Sequence, residues 1–206
     1  MRGNLIIISS PSGGGKGTLI KEVLEALPEV GYSVSLTTRP PRFGEEEGRH
    51  YHFVTKRQFE EEIANDRFLE FAEVHGNLYG TSRIQADRMM NEGQDVILEI
   101  DVQGALQVME KVPEAISIFI MPPSFDVLKA RLISRATEKD EDLELRLCNS
   151  HDEIEQFTRF DYIVVNDHIA VAARKLASII LAERQHMDRQ KETVQGILDS
   201  FGSSKP

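Results

Sequence analysis

A chain of 206 residues with 40% hydrophobic and 28% charged residues is sized and balanced for a globular unit with a substantial buried core. Its net charge of −10 argues against coating a polyanion, so nucleic acid is not an expected partner, and any anion it binds must meet locally concentrated positive groups. The single cysteine, Cys148, excludes an internal disulfide and fits a reducing, cytoplasmic setting, while the six histidines form no Cys/His ligand pattern that would build a metal site.

The apolar run Leu5–Ile8 is too short for a signal peptide or a membrane span, so no membrane partner is expected. It reads as part of a buried strand, Asn4–Ser9. The stretch SSPSGGGKGT follows, and then a helix over Lys16–Leu27 with Leu19, Ile20, Val23, Leu24 and Leu27 at helical spacing, closed by Pro28. Strand, glycine loop and helix form the setting of a phosphate-binding loop, G-x-x-x-x-G-K-[ST]. Gly13, Gly14 and Gly15 let backbone N–H groups approach phosphate oxygens, and Lys16 supplies a point charge. Two positions depart from the pattern: Ser10 replaces the first glycine, and Gly17 replaces the residue whose hydroxyl normally ligates Mg²⁺. Thr18 does not simply substitute, because one residue turns a helix by about 100°. The K-G-T order resembles adenylate kinases, which implies a working loop with Mg²⁺ held mainly through nucleotide phosphates and water.

From Ser33 to about Gly80 the segments are short and turn-punctuated, with one acidic helix over Arg57–Asn65, which suggests a small mixed insert. Within it, SLTTRPPR places Arg39 and Arg42 three apart around two prolines. The prolines stiffen the loop, and arginine forks match phosphate oxygens, so this is a candidate second phosphate site, with Tyr51 and Tyr79 as phenolic donors. Surface arginines are common; two in one rigid loop just past a core strand are less so.

Three further apolar runs, Asp95–Ile100, Ile116–Met121 and Tyr162–Val165, alternate with helical segments Val102–Lys111, Phe125–Arg135 and Ala170–Gln185, which predicts an α/β core with a parallel sheet. Residues 134–150, SRATEKDEDLELRLCNS, are dense in both charge signs, which fits either a solvated helix face or a lid carrying arginines. The last residues read as a surface helix with a frayed end.

The segments SVSLTTRPPRFGEEEGRHYHFV, FLEFAEVHGNLYGTS and ILEIDVQGA, in that order, resemble guanylate kinases of the bacterial type, and the similarity runs on through IFIMPPS and DYIVVND. The resemblance implies a nucleoside-monophosphate-kinase-like fold: a parallel sheet flanked by helices (1–34, 92–125 and 155–206), a mixed α/β acceptor insert (35–91) and a helical lid (126–154). It implies transfer of a phosphoryl group from ATP to GMP with Mg²⁺. ATP would meet Ser10, Pro11, Ser12, Gly13, Gly14, Gly15, Lys16, Gly17 and Thr18, with Asn166 and Asp167 near its base. The GMP phosphate would meet Arg39, Arg42, Tyr51 and Tyr79, and guanine would lie among Ser35, Glu70, Thr81, Glu99 and Asp101. Arg131, Arg135 and Arg146 would be lid arginines that steady the transferring charge. The chemistry is independently sensible, since guanine's adjacent N1–H and N2–H₂ donors suit the Glu70 carboxylate, and adenine would leave it unpaired. The chain has GNLYG and SRAT where the family often has GNYYG and GRGT. Some guanylate-kinase-like domains only bind partners; the retained Lys16, glycines and arginines favour an enzyme.

Overall fold

The computed structural model describes residues 1–74, 76–134 and 140–202, as backbone alone over 140–145. The chain runs β1 (Leu5–Ser9), α1 (Lys16–Ala26), β2 (Val30–Tyr32), β3 (Leu36–Thr37), β4 (His52–Phe53), α2 (Lys56–Ala64), β5 (Phe68–Val74) and β6 (Asn77–Ser82). It continues through α3 (Arg83–Asn91), β7 (Asp95–Glu99), α4 (Val102–Lys111), β8 (Ile116–Met121), α5 (Phe125–Ser134) and α6 (Asp140–Glu155). A 3₁₀ turn at Gln156–Arg159 leads to β9 (Tyr162–Val165), α7 (Ile169–Arg184) and α8 (Met187–Gly202).

The main sheet has five strands in the order β2-β7-β1-β8-β9, all parallel. Helices cover both faces, which is why β1 has no polar alternation: Ile6 and Ile8 point into one layer and Leu5 and Ile7 into the other. The first layer packs Leu19, Ile20 and Val23 of α1 against Ala172, Leu176 and Ile180 of α7. The second holds Ala86 and Met90 of α3, and Val102, Ala105 and Val108 of α4. Each fully buried isoleucine of β1 contributes about 1.5–3 kcal/mol through water exclusion.

A second sheet of four strands, β4-β3-β6-β5, forms the mixed insert. Phe59 of α2 stacks on Phe68 of β5, with ring centroids 4.5 Å apart. Leu69 of β5 joins the second layer of the main core, so the insert is anchored to the body at that point. Helix α3, grouped with the insert in the sequence reading, packs Ala86 and Met90 among Val96 and Leu98 of the main sheet. The edge strand β2 carries only Val30, Gly31 and Tyr32, too short a run for periodicity to reveal. The predicted strands over 95–100, 116–121 and 162–165 and the helices over 16–27 and 102–111 appear within about one residue of their expected bounds.

Candidate active site

The carboxyl ends of the parallel strands gather the predicted residues at one edge, where open α/β sheets place ligands. There the chain leaves β1 through Ser10 and Pro11 and turns into α1. Gly13 and Gly15 take φ of 83° and 88°, left-handed values that a side chain resists. Ser10 is buried, and a Cβ on Gly14 would stand 2.7 Å from its Cβ, so Ser10 packs where the pattern has glycine because Gly14 leaves the room. No side chain caps α1. Among the described residues, the N–H groups of Gly13, Gly15, Lys16, Gly17 and Thr18 have no protein partner. A row of free N–H groups at a helix start is an anion seat, reinforced by the helix dipole.

The loop carbonyls, which would repel an anion, are drawn away. Pro11 O accepts from Gly14 N at 2.9 Å and from the Ser10 hydroxyl at 3.0 Å. Gly14 O accepts from the Asn166 amide at 2.9 Å and from Arg131 at 3.3 Å, and a second Arg131 nitrogen reaches Asn166 O at 3.0 Å. From α6, the Arg146 guanidinium donates to the Ser12 hydroxyl from two nitrogens, at 3.2 and 3.1 Å, and Glu153 accepts Ser12 N–H at 2.9 Å.

Lys16 turns its ammonium inward to the carbonyl of Ile100, at 2.7 Å. Desolvation lowers its pKa, and the carboxylates of Glu99, Asp101 and Glu153 oppose that fall. Glu99 lies over Gly17: a Cβ there would stand 3.2 Å from Glu99 Oε1, while the Tyr32 hydroxyl donates to Oε2 at 3.2 Å. Burial, with Glu99 beside it, raises the Tyr32 pKa. Among the described residues no group of three or more His, Cys, Asp or Glu side chains is placed to hold a metal ion.

Beyond Ile100 a cavity of ≈ 350 Å³ opens between the two sheets, lined by Ser35, Arg42, Tyr51, Glu70, Tyr79, Glu99, Ile100 and Asp101 among others. Glu70 is buried on β5, and Thr81 of β6, across the ladder, donates its hydroxyl to it at 2.6 Å. Burial pushes the Glu70 pKa up to about 7, with Asp101 adding to the rise and Thr81 opposing it. Gly104 gives this carboxylate its space, since a Cβ there would meet Glu70 Oε2 at 2.9 Å. Asp101 caps α4 by accepting Gly104 N–H at 2.7 Å.

Arg39 stands at the cavity rim. Its Nε donates to the Tyr79 hydroxyl at 3.2 Å, and its two terminal nitrogens each donate to one oxygen of Glu45 at 2.9 Å. The guanidinium lies 5.4 Å from the Tyr51 ring centre. Glu45 also accepts Arg42 N–H at 2.7 Å, and these donors, Arg39 first, hold its pKa down to about 2.

The family model for guanylate kinase matches residues 2–183. The chain belongs to the guanylate kinase family. It is 49% identical over 193 residues to a guanylate kinase of Clostridium perfringens (strain SM101 / Type A), covering 94% of this chain and 89% of the relative. It is 50% identical over 199 residues to a guanylate kinase of Neisseria meningitidis serogroup A, covering 97% of each. The solved guanylate kinase of Anaplasma phagocytophilum superposes with a TM-score of 0.74 at 34% identity, covering 91% of this chain and 89% of that one.

Within this guanylate kinase fold the predicted residues fall into two groups that share a wall at Glu99–Asp101. The loop residues Ser10–Thr18, with Asn166, Arg131 and Arg146, form one. Ser35, Arg39, Arg42, Tyr51, Glu70, Tyr79 and Thr81 form the other. Asn166, expected near the donor base, is buried beneath the loop with its amide on Gly14. Asp167 is exposed at the turn before α7, its carboxylate on His168 N–H at 2.7 Å. Arg135 lies outside the described residues. Sequence reasoning passed over Tyr32, Glu45 and Glu153. The acidic run Glu45–Glu47, three residues past the arginine loop, was the available signal for Glu45; Tyr32 and Glu153 reach their partners across 67 and 141 residues and had none.

Proposed function

We propose that this protein transfers the terminal phosphoryl group of ATP to GMP, giving ADP and GDP for guanine nucleotide metabolism. One observation carries the reading: the Lys16 ammonium at the base of the free N–H nest rests on the carbonyl of Ile100, and Ile100 lines the neighbouring cavity. Two anion-binding sites thus share a wall, as direct transfer between two nucleotides requires.

In this reading the ATP phosphates sit on the loop Ser10–Thr18, with Lys16 at the transferring end. The cavity takes GMP. Its phosphate meets Arg39, Arg42, Tyr51 and Tyr79, and its base meets Glu70, backed by Ser35, Thr81 and Asp101. A GMP phosphate oxygen forms the new bond to the terminal phosphorus of ATP while the bond from that phosphorus to the bridging oxygen breaks, leaving ADP. No covalent enzyme intermediate is needed, so the side chains contribute by positioning and by countering charge. The ammonium of Lys16 and the guanidiniums of Arg131, Arg135 and Arg146 carry that positive charge. For the phosphate seat, Asn166 acts by holding Gly14, whatever the donor base meets.

The donor set fits an ion delivered with the nucleotide: Gly17 offers no hydroxyl, and Glu99 and Asp101 face Lys16 from the shared wall. Those two carboxylates would hold Mg²⁺ through water. When bound, Mg²⁺ neutralises charge on the phosphate oxygens of ATP.

We assign residues 35–91 to an acceptor insert that keeps α3 docked on the core, and 126–154 to a lid, both moving on a core of 1–34, 92–125 and 155–206. Their closure would keep out water, the competing acceptor. Among the described residues no helix is long and apolar enough to cross a membrane; a cytoplasmic location is our proposal. The test is ADP formation, coupled to NADH oxidation, with GMP, dGMP, AMP, CMP and UMP in turn. Preference for GMP over AMP, CMP and UMP by at least two orders of magnitude is expected. Equal turnover of AMP would displace the guanine reading, and no turnover with tight GMP binding would make this a binding module.

A further inference from the structure

Three residues of α6, Arg146, Ser150 and Glu153, lie four and three apart, on one face of the helix. All three engage one loop residue, Ser12. Arg146 donates to its hydroxyl, Glu153 accepts its N–H at 2.9 Å, and the Ser150 hydroxyl, whose proton goes to Arg146 O at 2.6 Å, stands 3.4 Å from its carbonyl. The N–H and the hydroxyl of Ser12 are therefore each met by a group of opposite role on a single helix. The neighbouring Gly13 and Gly15 have the widest backbone freedom of any residue type, so the loop cannot keep its shape by local preference. Its shape depends on outside ties, and those on the far side of Gly13 come from Asn166 and Arg131.

Glu153 has no place in the phosphate seat by charge, since a carboxylate repels phosphate. It nonetheless sits within the field of Lys16 and Arg146. Its carboxylate is directed at a backbone N–H, and that bond fixes which way the Pro11–Ser12 peptide faces, the peptide whose carbonyl accepts from Gly14 N and so closes the turn of the loop. With Ser12 N–H engaged, the free N–H groups of Gly13 and of 15–18 remain turned into the nest.

We propose that Glu153 is a positioning residue for the donor nucleotide: through Ser12 it holds the glycine loop in its phosphate-receiving shape and ties that shape to helix α6. This rests on the assignment of the loop to ATP. Loss of the carboxylate lets the peptide turn, which disorders the seat without touching the acceptor cavity. A glutamine retains a carbonyl oxygen that accepts the same N–H.

The experiment measures equilibrium binding of adenylyl imidodiphosphate with Mg²⁺, and separately of GMP, by calorimetry on the full chain and on Glu153→Ala and Glu153→Gln. Steady-state KM and kcat are measured alongside. Glu153→Ala is expected to weaken the ATP analogue roughly tenfold, with GMP affinity within about twofold, and Glu153→Gln to restore most of the loss. Unchanged or tighter analogue binding in Glu153→Ala overturns the proposal, the latter because it would make Glu153 a competitor of phosphate. Parallel weakening of both nucleotides also overturns it, as a general loss of structure. If Glu153→Ala does not fold, Glu153→Gln decides: weakening of the analogue by as much as tenfold overturns the hydrogen-bond account, and wild-type affinity supports it. Failure of the unsubstituted chain to bind the analogue overturns this proposal together with the ATP assignment, whereas normal binding there with no effect of Glu153→Ala removes only the latch.

Discussion

Thr81 donates its hydroxyl to Glu70 across 2.6 Å, between neighbouring strands of the insert, and Glu70 is only 7% exposed. The bond favours the ionised carboxylate, but burial outweighs it and the pKa stands at about 7. Near neutral pH the empty site is therefore about half protonated. Guanine offers two adjacent donors, which require the ionised form. GMP binding should tighten as pH rises through about 7 and level off above it. Calorimetry in buffers of different ionisation enthalpy should show protons released on binding below that pH. Glu70→Gln should remove that share of the release, leaving only the contribution of the GMP phosphate. It should also lower kcat/KM for GMP by roughly 10–100-fold, with ATP-analogue affinity unchanged. An identical pH profile in Glu70→Gln would take base reading away from this residue.

The same carboxylate should cost stability. Its pKa rises from 4.5 to about 7 on folding, so the folded state prefers it protonated. Folding stability is lost as pH climbs through that window, and the penalty is complete above it. Relative to Glu70→Gln, the unsubstituted chain should match at pH 4 and be less stable at pH 8, by up to roughly 3 kcal/mol. Urea midpoints of both chains at the two pH values check this. A constant difference between them would mean that the effect is steric.

Arg39 shares its fork with both oxygens of Glu45, and its Nε holds Tyr79. Lysine keeps the charge and loses the planar geometry. Arg39→Lys should raise KM for GMP by roughly tenfold or more, leave KM for ATP within about twofold, and lower the unfolding midpoint little. Normal GMP saturation in Arg39→Lys and in Arg42→Lys would place the acceptor phosphate elsewhere.

Much of this site is visible in the sequence because its chemistry is local. Ser10–Thr18 lie together in the chain, and the glycines declare their backbone geometry by type. Leu19, Ile20 and Val23 follow at helical spacing and are buried as that spacing requires. What was not visible depends on partners far apart in the chain. The amide of Asn166 ties Gly14 from 152 residues away, a tie that the family resemblance did not supply, and Glu153 ties Ser12 from 141, with nothing in the sequence to tell it from an ordinary polar residue. Strands β3 and β4 are two residues each and pair in parallel, leaving no alternation to read. Helix α3 lies within the expected insert, yet its apolar face packs in the main core. The family resemblance supplied Glu70 and Thr81; only the ladder shows why they pair, with Glu70 opposite Thr81 at a register shift.

Lys16 and Gly17 separate a working loop from a damaged one. The Lys16 ammonium is held on Ile100 at 2.7 Å, where burial lowers its pKa and three carboxylates oppose that fall, so its position does not depend on the missing hydroxyl next door. Lys16→Met, which keeps the bulk and loses the charge, should lower kcat by roughly 10²–10³-fold. The variant should fold, with the relief of a buried charge set against an Ile100 carbonyl and facing carboxylates left without their partner. At position 17 an added Cβ would stand 3.2 Å from Glu99 Oε1, the far end of a side chain that can shift by a few tenths of an ångström. A serine hydroxyl there can donate to that carboxylate. Gly17→Ser should therefore fold and keep activity within about threefold, since the seat is made by N–H groups that serine also carries. The Mg²⁺ concentration at half-maximal rate should fall if the hydroxyl reaches the ion and stay unchanged if Glu99 claims it. Circular dichroism, GMP phosphorylation and a Mg²⁺ titration on the three chains decide the matter. A fully active Lys16→Met, or a Gly17→Ser that folds but loses transfer altogether, would contradict the account.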